Sequence, residues 1–341
     1  NITIQSSNHG VYAQVQNVYV NPAGSNNNSG SSASSPFKNI YIAYLSIYAN
    51  SGLPGTIHLA DGTYSPSING EFFPLGGKNY VSISGESQDS TVLNADSLTS
   101  IFYFEDNGDI TISDLTITNG YENNLGNSAG IYVKNTNLFL DSLTISHNVA
   151  DENRYGSGIR VDDDSEINIQ NSIISHNYGA QGGGVYIDDT NYNNNIIKNT
   201  IFSHNSSTAG GGLFAREINI FVESCIFDSN SATDYGGGIF CGDNGSYEKE
   251  IIISNSLFIN NQGTGNYSGG IYNSGNQSLS KFVIINCTIT NNDGGLYAVD
   301  GEYSVINSII YDNNNFNDIN GNGELYNSLY DQSDPPPLFA D

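Results

Sequence analysis

Lys134, Arg160, Asp162 and Asp188 are the residues of this chain best placed for chemistry. Lys134 precedes Asp162 by 28 positions, and Asp162 precedes Asp188 by 26. Elimination on a uronate needs a basic group as base and a cation to neutralise the carboxylate. Glycoside hydrolysis needs two carboxyl groups about 5–9.5 Å apart. The set can serve either reaction if the fold brings positions about one repeat apart into contact.

Three other recurrent sets compete with it. Tyr132, Tyr186, Phe214, Phe240, Tyr272 and Tyr297 share one repeat position with Arg160. Strand alternation turns them away from the aliphatics beside them, which predicts an outward aromatic strip. Such a strip either supports the sheet, at roughly 0.2–1 kcal/mol per ring pair, or offers a surface for sugar rings or another protomer.

Just past the same strand come Asp162, Asp163, Asp164, Asp188, Asp189, Glu217 and Asp243. Stacked carboxylates repel, and Ca²⁺ accepts such oxygens with loose geometry. The preferred reading is a solvated turn that keeps the chain soluble. No Gly-Gly-x-Gly-x-Asp nonapeptide implies the ion. The expectation is no cofactor, with Ca²⁺ on Asp162, Asp164, Asp188, Asp189 and Asp243 as the alternative. His147, His176 and His204 each precede a repeated Asn. Three imidazoles could hold a metal, but other repeats carry Ser229, Asn260 and Asn291 there, so they read as polar turn residues.

The elements that position these sets follow from two alternating phrases. One is a Gly run, an aliphatic and usually an aromatic, as in Gly182-Gly183-Gly184-Val185-Tyr186 and Gly210-Gly211-Gly212-Leu213-Phe214. Its last Gly falls at 130, 158, 184, 212, 238, 270 and 295. The other is an apolar strand end with Asn three residues on, from Ile145 and Asn148 to Ile310 and Asn313. β-Branched and aromatic residues suit strands, and Gly and Asn suit turns with positive φ. Three short strands and three turns in about 27 residues make one coil of a parallel β-helix. The prediction is an all-β solenoid of about ten coils, a rod about 50 Å long at ~4.8 Å per rung.

The ends read differently. Residues 1–55 hold a weakly alternating N-terminal strand, a polar loop and a helix. Ser35 is the expected N-cap with Pro36 at the first helical position. Phe37, Ile40, Tyr41, Tyr44, Leu45 and Tyr48 recur at helical spacing, forming an amphipathic cap for the open end of the solenoid. The β-helix spans 56–330. The tail 331–341 carries Pro335, Pro336 and Pro337, which cannot donate to a ladder.

Composition narrows the partners. There are nine Lys and Arg against 35 Asp and Glu, a net charge of −26. No basic face is available for nucleic acid or an anionic membrane, and no run suits membrane insertion. Three Cys are too few for a disulfide scaffold. Cys225 and Cys287 share one repeat position and read as small inward fillers. The chain begins at Asn1, which reads as a mature or excerpted chain from a secreted protein.

Phe202-Ser203-His204-Asn205, Phe227-Asp228-Ser229-Asn230 and Phe258-Ile259-Asn260-Asn261, each with its Gly-rich strand, resemble repeats of polymorphic outer-membrane proteins and related autotransporter passengers. The opening, from Tyr19-Val20-Asn21-Pro22-Ala23-Gly24 through Ala60-Asp61-Gly62-Thr63-Tyr64, is similar to secreted pectate-lyase-like right-handed β-helix proteins. The resemblance implies a right-handed β-helix. It leaves function open, since that fold carries lyases, glycosidases, tailspikes, adhesins and inert rods. Active sites on solenoids usually come with loop insertions that build a cleft, and these coils are regular. The expectation is therefore a non-catalytic extracellular or cell-surface protein, structural or adhesive, whose partners are further copies of itself, in a filament, or a surface polysaccharide. The alternatives are a polysaccharide-active enzyme on Lys134, Arg160, Asp162 and Asp188, or a carbohydrate-binding module using the aromatic strip.

Overall fold

Each repeat breaks into short strands because its apolar residues alternate and its small polar residues fall where the backbone turns left-handed. The computed structural model describes residues 16–122, 128–151, 155–188, 194–242, 249–263, 269–274, 281–299, 303–314, 319–320 and 323–330. One coil shows the pattern. Asn219–Glu223 forms a first strand, Ser224 bends at φ 56°, and Ile226–Asp228 forms a second. Ser229 turns again at φ 56°, and the coil closes through Ser231–Tyr235 and Ile239–Gly242.

Stacking these coils gives three lanes of parallel strands. The first two lanes merge into a 21-stranded sheet, because Ile110–Thr118 and Asn137–Ser146 run through both. The third lane, built from the Gly-rich phrase, is a ten-stranded sheet from Leu75–Gly76 to Ile319–Asn320. Its register matches the sequence period: Ile131 faces Ile159, Ile159 faces Val185, and Val185 faces Leu213. The two outermost strands of this sheet have only two residues each, so the well-formed part is nearer eight coils than the expected ten. Short strands at Ser206–Ala209, Ser231–Tyr235 and Gln262–Gly263 add a three-stranded ribbon between the second and third lanes.

The lumen is a continuous apolar core. Phe202, Phe227 and Phe258 stack in it with ring centroids 4.6 and 4.7 Å apart. Cys225 and Cys287 are buried free thiols, as the small inward slot predicts, and Cys241 in the third lane is buried and free as well. At the next corner the repeated Asn residues form an internal ladder. Asn205 Nδ2 donates to Asn230 Oδ1 at 3.0 Å and to the Ile174 carbonyl at 2.8 Å, and its Oδ1 accepts from Asn177 N and Nδ2 at 3.1 and 3.0 Å. A buried amide thus satisfies both its own groups and the turn backbone.

The cap departs from expectation. The helix covers only Ile40–Ser46, with Asn39 as N-cap rather than Ser35. Phe37 is extended, fully buried and bridged to Val20. The face turned to the rod is Ile40, Ala43 and Ile47, leaving Tyr41, Leu45 and Tyr48 exposed. Asn39 makes no side-chain cap bond. Its role passes to Glu71, whose carboxylate accepts from Ile40 N at 2.9 Å and Tyr41 N at 3.3 Å. Lys78 Nζ donates to the Ile47 and Tyr44 carbonyls at 2.5 and 3.3 Å. A carboxylate at the N-terminus and an ammonium at the C-terminus both suit the helix dipole. The tail 331–341 and residues 1–15 of the weakly alternating stretch expected over 1–20 lie outside the described residues; the part described forms the strand Asn17–Val20.

Candidate functional site

The third lane places all four candidate residues on one face. Lys134, Asp162 and Asp188 occupy the last position of three successive strands, in register. Arg160 lies two residues before Asp162, on the same side of its strand. The register also brings Glu105 beside Lys134 and Arg216 beside Asp188, two residues the sequence reading missed. Arg216 follows the Gly-rich phrase at the spacing of Asp162 and was legible from the repeat. Glu105 was not, because its strand, Phe102–Glu105, lacks the Gly signature.

These charges neutralise one another. Arg160 Nη2 lies 2.7 Å from Asp162 Oδ2, and its Nε donates to Oδ1 at 2.9 Å, a two-pronged pair. Arg216 makes the same kind of pair across a rung, Nε to Asp188 Oδ1 at 3.0 Å and Nη2 to Oδ2. Tyr186 Oη donates to Asp188 Oδ2 at 2.8 Å. Lys134 Nζ stands 3.7 Å from Glu105. Burial pushes the Asp162 carboxyl up, against the pull of Arg160. A raised carboxyl suits a general acid, but both of its oxygens already face the guanidinium.

The aromatic strip corrects the sequence expectation. Tyr132, Tyr186, Phe214 and Tyr272 do point away from the lumen, yet they are only 2–7% exposed. Phe240 and Tyr297 are half-buried. The chain between the Asn corner and the Gly run folds back over the rings. Tyr155 stacks on Tyr186 at 5.0 Å, and Ala209 and Tyr235 pack on Phe214 and Phe240 as a second, smaller core. The leading glycine makes room: Gly182 has φ +61°, and a Cβ there would sit 2.7 Å from Tyr186 Cβ. Alternation gave the direction of the rings correctly; it could not reveal a cover supplied by another part of the coil.

Inside this cover the rings form one column. Tyr103 and Tyr132 stack at 5.1 Å, Tyr186 and Phe214 at 4.9 Å, Phe214 and Phe240 at 4.6 Å, Phe240 and Tyr272 at 5.5 Å, and Tyr272 and Tyr297 at 5.5 Å. Arg160 takes the place of a ring, its guanidinium carbon 5.7 Å from the Tyr132 centroid and 5.9 Å from that of Tyr186. Tyr155 closes the third side at 5.6 Å.

The metal candidates fare differently. Asp162 and Asp188 commit their oxygens to guanidinium groups. Asp164 occupies a turn at φ 52°. Asp189 and Asp243 lie outside the described residues. His147, His176 and His204 stack at 4.9 Å with ring planes 6° and 1° apart. Their in-plane lone pairs therefore run parallel instead of converging on one point. All three have φ of 56–57°, as do Ser229 and Asn260 in the same column. They are corner residues in the left-handed region.

Coils of three parallel lanes around an apolar lumen with an internal Asn ladder define a parallel β-helix. Residues 81–280 match the family model described as the right-handed β-helix region, and the chain belongs to that family. No curated protein matches its sequence. Among solved structures it is similar to pectate lyase Pel9A, at 17% identity over 94% of this chain and 79% of that one, with a TM-score of 0.51. It is also similar to the mannuronan C-5 epimerase AlgE4 A-module of Azotobacter vinelandii, at 14% identity over 81% and 86% of the two chains, TM-score 0.47. Pectin methylesterase PemA of Erwinia chrysanthemi gives 14% identity over 87% and 90%, TM-score 0.44. At such identities the likeness is one of fold.

Proposed function

We propose that this protein is a non-catalytic structural or adhesive β-helix that works at the cell exterior. The observation that supports this reading best is the mutual neutralisation of the third-lane charges. Arg160 and Asp162, with side chains only 18% and 15% exposed, are spent on each other, and Asp188 is spent on Arg216 and Tyr186. An acid–base catalyst must reach its substrate within hydrogen-bond distance, and here the cover that includes Tyr155 lies over Arg160. The resemblance of the repeats to polymorphic outer-membrane proteins supports the surface location.

The test is turnover. The chain is incubated with polygalacturonate, alginate, and neutral glucans and mannans, with and without Ca²⁺, and reducing ends and unsaturated products are followed. The reading expects none. Product formation that disappears in Arg160→Ala and Asp162→Asn would replace it with the polysaccharide-active alternative.

A further inference from the structure

A second ring column, on the outer face of the first lane, stops short. Tyr19 and His58 stack 4.9 Å apart on neighbouring strands. The next residues in the column are Ser84 and Ser113, too short to cover the imidazole face. A cleft of about 220 Å³ opens there, lined by Tyr19, His58, Ser84 and Glu86 and walled by Ala33 and Pro36. Glu86 is two residues beyond Ser84. Its Oε2 accepts from Asp61 N at 3.1 Å, which leans the carboxylate back toward the strand of His58.

The third lane shows the same arrangement with the gap filled. There Arg160 stands next to the Tyr132 ring and pairs with Asp162, two residues beyond it. At Ser84 the neighbouring ring and the carboxylate two residues on are both present, and the guanidinium is missing. We propose that this cleft binds an arginine side chain of a partner polypeptide, stacked on His58 and ion-paired with Glu86.

The remaining features agree. At about 220 Å³ the cleft has room for a guanidinium and part of its stem. Ala33 and Pro36 offer apolar surface to the methylenes. His58 Nε2 lies 3.0 Å from Asn17 Oδ1, an acceptor, which favours the tautomer with its proton on Nε2. Burial lowers the His58 pKa, which favours the neutral ring a cation needs. A net charge of −26 draws basic partners. Arginine is preferred to lysine because its planar group both stacks and pairs. The chain itself is poorly supplied: of its three arginines Arg160 and Arg216 are committed to carboxylates, Arg154 lies outside the described residues, and residues 1–15 contain no Arg or Lys. The inference does not depend on the non-catalytic reading, since it concerns another face and a binding measurement.

The experiment follows the His58 ring resonances of the full chain during titration with Nα-acetyl-arginine amide, with the lysine and citrulline analogues as controls. A saturable shift with the arginine probe is expected, weaker by about tenfold or more for citrulline and for the Glu86→Gln variant. Ser84→Arg should fill the cleft from within, raising Tm and removing probe binding. Citrulline binding as tightly as arginine, or Glu86→Gln binding like the parent, overturns the proposal. So does the lack of any saturable shift up to the solubility of the probe. If Ser84→Arg fails to fold, the Glu86→Gln comparison, at an exposed side chain, decides alone.

Discussion

Arg160 and Tyr186 stand on adjacent strands with the guanidinium carbon 5.9 Å from the ring centroid, so a cation serves as one member of an otherwise aromatic column. The column is a structural element of the coil, and its one charged member is held by Asp162. Arg160→Ala should therefore lower stability by about 3 kcal/mol, because it leaves a mostly buried carboxylate unpaired. Replacing both partners, as in Arg160→Tyr with Asp162→Asn, should recover much of that loss by completing the ring column. Urea denaturation of the single and double variants measures it. Equal losses in both would show that the pair is not coupled.

Asn205→Ala should be costlier than its size suggests. It removes four hydrogen bonds and leaves the Asn177 backbone N–H and one of its Nδ2 hydrogens without acceptors in the interior. At about 1–3 kcal/mol per unsatisfied group, a loss of about 2–5 kcal/mol is expected. A loss near that of an exposed Asn→Ala change would mean that water enters the ladder.

The His stack makes stability sensitive to acid. Burial, with the charges of His147 and His204, lowers the His176 pKa below its ordinary value. The unfolded chain then binds the proton more readily than the folded one, so this contribution is full above about pH 6.5 and is lost as pH falls below it. His176→Asn, which suits the left-handed corner as Asn260 does, should flatten the decline of Tm between neutral and mildly acidic pH. An unchanged slope would remove His176 from the account.

The thiols should be inert while the protein is folded. Burial pushes Cys225 and Cys241 up to about 12 and Cys287 to about 11, and the thiolate is the reactive form. Reaction with a disulfide reagent at mildly alkaline pH should track global unfolding and speed up in denaturant. A fast native phase would point to local opening at one of the three coils.

Much of this architecture was legible from spacing alone. The period placed Ile159, Val185 and Leu213 in one inward column, and the structure pairs them in register. The direction of Tyr186 and Phe214 was legible for the same reason. Their burial was not, because it depends on Tyr155 and Ala209, which belong to the least regular part of each coil. The helix was found, but its true inner face of Ile40, Ala43 and Ile47 was hidden among aromatics that the rod leaves exposed. The partners of the charged residues were half legible: Arg216 keeps the repeat, and Glu105 does not.

The helix at the N-terminal end cannot be completed by its own residues. Its first amides wait for Glu71 and its last carbonyls for Lys78, both supplied after the first strands of the rod have formed. The contacts that complete the helix therefore reach as far along the chain as residue 78. If the coils form in the order of synthesis, each coil after residue 78 finds an edge in place to lay its strands on. Assembly of the rod becomes directional accretion, and a fault at Glu71 or Lys78 would be inherited by every coil laid down after it.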